Sequence, residues 1–311
     1  MFEQYQCEVE DTYAEAFRSL YAEFLITARD RKWLNHALYA ATGHASSTIM
    51  CDCEAGLDRY VGPGGDESFA TPDGRPGAIV QLHVPRFRKD RVPALEKALL
   101  SRVSQNVLTC PTTACFNMLE SEDYYRLGRK VSYFGDGHEF LDDRHGRKMW
   151  VIPTMGGEFS IDRRFGYSDG IMGGNLWFMG TSEEAAITAA ERAVEGVEKT
   201  PGTITTFPGG VAASASKAGS KYKFLFASTF AEYCPTLKEK LGEKSLVPEG
   251  VTSIQEIIIN GRDLDAVAEA TYAAMDACHD TPGLVKISAG NYNGRLGKSF
   301  IYLDRNQQPA S

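Results

Sequence analysis

The stretch SIQEIIING, Ser253 to Gly261, decides the fold. Side chains alternate across a strand, so Ile254, Glu256 and Ile258 share one face and Gln255, Ile257 and Ile259 the other. Just downstream, Asp263 is placed to cap a helix whose stripe is Leu264, Val267, Thr271, Met275 and Cys278, and LVKISAG (Leu284 to Gly290) returns as a strand. Upstream, NLWFMG (Asn175 to Gly180) reads as a strand. A helix follows, with Ser182 as cap, Glu183 and Glu184 in its first turn, and Ile187, Ala190, Val194 and Val197 inward. TITTF (Thr203 to Phe207) is its returning strand. The order is β-α-β-β-α-β.

The first half of the chain repeats this order. EFLITA (Glu23 to Ala28) is a strand, Trp33, Leu34, Ala37, Leu38 and Ala41 form a helical stripe stopped by Gly43, and STIMC (Ser47 to Cys51) reads as the next strand. GAIVQLHV (Gly77 to Val84) follows, then a helix opened by Pro93 with Leu95, Leu99, Val103 and Val107 on one side, then LTCPTTACF (Leu108 to Phe116). A repeated order of elements signals a repeated structural unit, and this one is ferredoxin-like. The expected fold class is α+β, with two ferredoxin-like lobes, residues 1–150 and 151–311, divided near Val151 after the turns at Gly135 to Gly137 and Asp142 to Gly146. The Gly/Ser/Lys-rich insert FPGGVAASASKAGSKYKF (Phe207 to Phe224) is too long for a hairpin, and long loops in compact domains are disproportionately functional.

The chain has 311 residues, more than one small core usually fills, which favours two lobes. Its net charge of −8 argues against the clustered Lys and Arg contacts by which nucleic-acid binders release counterions. No stretch has the length and apolarity of a membrane span, and the start MFEQYQCEVEDTYAEAF lacks the regions of a signal peptide, so a cytoplasmic protein is expected. The seven cysteines are scattered without a C-x-x-C pair and read as reduced, mostly packed thiols.

GNYNGRLGKS ends like a phosphate loop but carries Tyr292 where that loop needs glycine, and HEFLDDRH places Asp142 where a zinc helix needs its second histidine. Cys51 and Cys53 share a strand face, which fits core packing better than a metal pair. Ser214 and Lys217 match S-x-x-K, the spacing in which a lysine activates a serine for acyl transfer, without the companion K-T-G. In a helical loop Lys217 and Lys221 would share a face and hold an anionic substrate arm, with Gly209, Gly210 and Gly219 permitting close backbone approach. Glu256 carries the most weight. Its apolar strand neighbours would desolvate the carboxyl, raise its pKa and fit it to exchange a proton near neutrality; the alternative is a carboxylate at the wet rim of the sheet.

Several longer strings share one resemblance: EDTYAEAF (Glu10 to Phe17), TPDGRPG (Thr71 to Gly77), YFGDG (Tyr133 to Gly137), FPGGVAASASKAGSKY, AST with EYCPTL (Ala227 to Leu237), and KISAGNYNGRLG (Lys286 to Gly297). From about Glu10 to about Leu303 the chain resembles formylmethanofuran:tetrahydromethanopterin formyltransferases. The resemblance implies a two-lobed subunit of a homotetramer that moves a formyl group between a methanofuran-type amine and N5 of tetrahydromethanopterin, without metal or tightly bound cofactor. It implies a proton-handling role for Glu256. It further implies substrate contacts at Gly209, Gly210, Ser214, Ser216, Lys217, Gly219, Ser220, Lys221, Gln105 and Tyr233. Departures fall at Phe230, Ala231 and Glu232, at Ser104-Gln105, at His138, and at Asn293 and Arg295; the apolar pair Phe230 and Ala231 bears on substrate identity. CDCEAGLDR (Cys51 to Arg59) is similar to the bacterial branch, which implies partner subunits in a formyltransferase/hydrolase complex. Two other readings stay open: a non-catalytic or altered-substrate scaffold subunit, and a hydrolase or acyltransferase using Ser214.

Overall fold

The structure is a computed structural model and describes residues 7–295 and 297–308. The chain forms two compact units, Arg18–Gly170 in one, and in the other the residues up to Phe17 together with those from Ile171 onward. Among the described residues no helix is long and apolar enough to cross a membrane.

In the first unit the elements run β1 (Tyr13–Thr27, whose first residues count with the other unit), α1 (Arg31–Thr42), β2 (Glu54–Val61), β3 (Gly77–Pro85), α2 (Arg91–Arg102), β4 (Ala114–Asn117), α3 (Leu127–Ser132), β5 (Phe140–Arg144), β6 (Arg147–Thr154) and β7 (Gly157–Asp162). The sheet order is β2-β3-β1-β4-β7-β6-β5, antiparallel except for the β4/β7 pair. One sheet face carries Leu20, Ala22, Phe24 and Ile26 of β1. They pack against Leu34, Ala37 and Leu38 of α1 and Leu95 and Leu99 of α2. The opposite face holds a buried polar chain: Ser19 Oγ lies 2.9 Å from His83 Nδ1, His83 Nε2 lies 3.0 Å from Gln81 Oε1, and Gln81 Nε2 donates to Glu23 at 2.8 Å. Complete burial depresses the His83 pKa to about 3 and keeps the ring neutral.

One expectation changes here. STIMC is not a strand. The Ser47 hydroxyl accepts from Ile49 N–H and Cys51 N–H bonds back to Ser47, so local hydroxyl and turn bonds outcompete a ladder, and the strand begins at Glu54. Val151 itself lies within β6, and the β5-β6-β7 meander continues the sheet of the unit Arg18–Gly170. Cys53 is fully buried in the core, while the adjacent Asp52 reaches Arg102 through two bonds of 2.9 Å.

In the second unit β8 (Asn175–Gly180), α4 (Glu183–Glu198), β9 (Thr203–Thr205) and β10 (Val211–Ala212) precede the arm strands β11 (Ser216–Ala218) and β12 (Ala227–Thr229) and the short α5 (Lys238–Leu241). Then come β13 (Ser253–Gly261), α6 (Leu264–Cys278), β14 (Leu284–Ser288) and β15 (Ser299–Tyr302). β13 pairs antiparallel with β8 on one side and with β9 and β10 on the other; β8 pairs antiparallel with β14, and the short strand Glu8–Val9 adds parallel to β14. Ser182 and Asp263 cap α4 and α6 as the sequence indicates, each side chain accepting a backbone N–H three residues on. The inward face of α4 is made of alanines, with Ala186, Ala189, Ala190 and Ala193 buried and Ile187 only half-buried. Small side chains let α4 and α6 approach closely: a Cβ on Gly196 would sit 2.6 Å from the Ala273 carbonyl.

Candidate active site

Helices α4 and α6 lie on one side of the second unit's sheet, where Leu176, Phe178, Ile257 and Ile259 join their core. Alternation turns Trp177, Met179, Ile254 and Glu256 to the other side, which the segment between β10 and β13 covers with Phe230, Tyr233, Val247 and Val251. Glu256 is therefore a carboxyl beneath an aromatic roof, 6% exposed. Trp177 lies directly opposite it in the β8/β13 register.

Two donors hold the carboxyl. Asn175 Nδ2 donates to Glu256 Oε1 at 2.7 Å and Trp177 Nε1 donates to the same oxygen at 2.9 Å. The Asn175 amide has no freedom to flip, because its Oδ1 accepts Gly290 N–H at 3.1 Å. A Cβ on Gly290 would meet Asn175 Nδ2 at 2.6 Å, so glycine is required there. Indole N–H is donor-only and the amide is locked as a donor. Oε1 therefore remains an acceptor, and a proton on this carboxyl resides on Oε2. Burial raises the Glu256 pKa, and the Asn175 and Trp177 hydrogen bonds pull it back in part.

Tyr292 belongs to the same neighbourhood. Its hydroxyl donates to the Ser216 carbonyl at 2.6 Å, and its pKa is pushed up to about 12, first by burial and then by the charges of Glu256 and Glu15. Glu15, 4% exposed, anchors the loop that presents Tyr292. Its Oε1 accepts the N–H groups of Tyr292 and Gly294, and its Oε2 accepts Gly297 N–H at 3.0 Å. The segment that fails as a phosphate loop is thus a set of convergent backbone donors around an anion, and the anion is the chain's own side chain.

The remaining sequence candidates scatter. Ser214 is exposed, while Lys217 lies on β11 with its ammonium 3.1 Å from Glu232 and 5.7 Å from the Phe230 ring centroid. One correction follows. Lys217 lies on the strand Ser216–Ala218, so Lys217 and Lys221 do not share a helix face; the Lys217 ammonium is paired with Glu232. Lys221 sits over the Tyr222 ring at the exposed end of the arm. Gly219 N–H bonds to Phe226 O at 2.7 Å and Ser220 Oγ accepts Tyr222 N–H at 3.0 Å, so both shape the arm's turn. Gly210, at φ 80°, has no room for a side chain beside Thr205 and Val194, whereas Gly209, at φ 68°, faces open space. Tyr233 stacks edge-on against Trp177 at 4.6 Å, and Phe230 packs 5.8 Å from the same ring. Gln105 lies in the other unit, exposed on the π-helical turn Val103–Val107. Among the described residues no three His, Cys, Asp or Glu side chains are grouped to hold a metal.

Asn175, Trp177, Tyr292 and Glu15 escaped sequence reasoning. The available signal was the spacing of Asn175 and Trp177, which puts two polar-tipped side chains on one face of an otherwise apolar strand.

Comparison with known proteins covers nearly the whole chain. Residues 2–154 match the family model described as formylmethanofuran-tetrahydromethanopterin formyltransferase, and residues 157–305 match the model described as its proximal lobe. A formyltransferase of this name from Methanosarcina acetivorans is 46% identical over 94% of this chain and 95% of its own. The one from Methanopyrus kandleri is 44% identical over 95% and 97%. Among solved structures, the Methanosarcina barkeri formyltransferase superposes with a TM-score of 0.90 at 44% identity, covering 97% of this chain and 99% of that one. A chain of the formyltransferase/hydrolase complex from Methylorubrum extorquens, solved with methylofuran, gives 0.86 at 38% identity, covering 97% of each. The chain belongs to the formylmethanofuran:tetrahydromethanopterin formyltransferase family.

Proposed function

We propose that this chain transfers a formyl group between a methanofuran-type amine and N5 of tetrahydromethanopterin, and that Glu256 handles the proton. The observation that carries this reading is the carboxyl with one oxygen clamped by Asn175 and Trp177 and the other left to titrate. The entering nitrogen attacks the formyl carbon, a tetrahedral adduct forms, and the bond to the leaving nitrogen breaks. One proton leaves the entering amine and one reaches the departing amine. A carboxyl whose pKa is raised by burial can accept the first through Oε2 and return it to the second, so no covalent enzyme intermediate is required. The ion pair of Lys217 with Glu232 weighs against the serine route. Replacing Glu256 by Gln keeps the acceptor for Asn175 and Trp177 and removes the titrating group. Turnover should fall roughly 10²–10⁴-fold with pterin binding little changed, and a folded, pterin-binding variant with near-full turnover would falsify the assignment.

The substrate side of the reading keeps Gly209, Gly210, Ser214, Ser216, Lys217, Gly219, Ser220, Lys221, Gln105 and Tyr233 as contacts; the open face of Gly209 and the exposed Lys221 support it. The shared order of the two units, β2-β3-β1-β4 and β9-β13-β8-β14 with antiparallel neighbours throughout, supports a duplicated ferredoxin-like origin. Assembly as a homotetramer, partner subunits of a formyltransferase/hydrolase complex and a cytoplasmic location complete the proposal; the Methylorubrum extorquens relative supports the second.

A further inference from the structure

In the unit Arg18–Gly170 a cavity of about 220 Å³ is lined by Arg126, Arg129, Arg163, Arg164 and Trp150, none of them assigned to formyl transfer. The arginines come from α3 and its N-terminal flank, and from the turn after β7. Arg129 is engaged, 3.2 Å from Glu139 and 4.5 Å from the ring centroids of both Trp150 and Tyr133, and Arg164 lies 4.3 Å over Tyr124. Arg126 and Arg163 are exposed and have no carboxylate, carbonyl or ring partner among the described residues. Their neighbours behave otherwise: Arg144 is matched by Asp142 and Glu158, and Arg147 by Asp162. Arg163 and Arg164 also line an adjoining cavity with Glu120 and Asp162, but among the described residues no ion pair joins a carboxylate to Arg126 or Arg163.

Like charges around one small cavity repel, and that repulsion turns into attraction when an anion enters. The rigid guanidinium fork matches the oxygens of a phosphate better than an ammonium does, so four arginines favour a doubly charged oxyanion over a halide. Trp150 forms an apolar wall that limits water and lowers screening. We propose that this cavity binds a phosphate dianion, either free or carried at the end of a small molecule.

The test uses the full-length chain and the double variant R126Q/R163Q. Thermal unfolding is followed in inorganic phosphate, in glycerol phosphate, and in sodium chloride at matched ionic strength. A ligand that binds only the folded state raises the Tm with concentration. The expected result is a phosphate-dependent rise in the wild type that chloride does not reproduce, with affinity at least ten-fold weaker in the double variant. Tighter binding of glycerol phosphate than of inorganic phosphate would assign the site to a carried group, and the reverse to the free ion; either upholds the proposal. Equal protection of the two proteins by phosphate, or equal protection of the wild type by chloride, overturns it. Both substitutions are at exposed positions, and circular dichroism of the double variant separates a lost site from a lost fold.

Discussion

A single indole N–H shows how closely the site depends on its hydrogen bonds. Trp177 donates to the charged form of Glu256, and a bond to the charged form lowers a carboxyl pKa. Trp177→Phe keeps an aromatic ring beneath Tyr233 and deletes the donor. Hydrogen bonds to charged groups contribute about 1.5–3 kcal/mol and a pKa unit corresponds to about 1.4 kcal/mol, so the acid limb of the rate profile should move up by roughly one to two pH units. A wall residue with no electrostatic part would change KM or stability and leave that limb in place. Glu256 also leaves a mark on stability. Its folded pKa lies above the unfolded value of 4.5, so the folded state holds its proton over a range where the unfolded state has released it, and stability falls as pH rises through that range. Glu256→Gln carries no such slope. The Tm of the variant minus that of the wild type should therefore grow as pH climbs above 4.5 and level off once the native carboxyl has ionised; a difference that stays flat would mean that Glu256 is ionised throughout.

At the scale of elements, the loop from Tyr292 to Gly297 depends on a carboxylate delivered by β1. Glu15→Gln offers one carbonyl oxygen and one NH₂ in place of two acceptor oxygens, so the N–H of Gly297 or those of Tyr292 and Gly294 face a donor. An unsatisfied buried donor costs about 1–3 kcal/mol, and urea unfolding of the variant should show a loss of that size with an unchanged m-value. Because the loop also carries Tyr292, turnover should fall with stability. Much at this scale was legible beforehand. Period-two alternation identified β13 and the strand face that Glu256 shares with Ile254, and side-chain caps located the starts of α4 and α6, since all of these are written in a few consecutive residues. The clamp on Glu256 was not legible, because it depends on which strand lies beside β13 and in what register, a contact spanning 79 to 81 residues. STIMC misled for the opposite reason: its one serine, Ser47, makes bonds so local that they override the β-prone composition. The arm around Lys217 reads as a polar loop, and only the fold brings Glu232 to it.

For the whole molecule, the division of the chain carries its own test. The second unit takes in Glu8–Val9 as a strand beside β14, the start of β1 as the partner of β15, and Glu15 as the loop anchor. A fragment spanning 171–311 lacks all three and should show a broad, weakly cooperative unfolding transition, and a synthetic peptide covering residues 7–17 should sharpen it. A fragment that melts cooperatively without the peptide would refute this account of the unit. The bonds from Glu15 to Tyr292, Gly294 and Gly297 span 277 to 282 residues. On a ribosome adding ~5–20 residues per second, Glu15 emerges roughly 15–55 s before the loop that surrounds it has been made. During that interval Arg18–Gly170 has all of its own strands, while the segment ahead of it must wait unpaired. A nascent chain stalled short of Gly294 would keep its N-terminal segment open to protease, whereas a few more codons should close it.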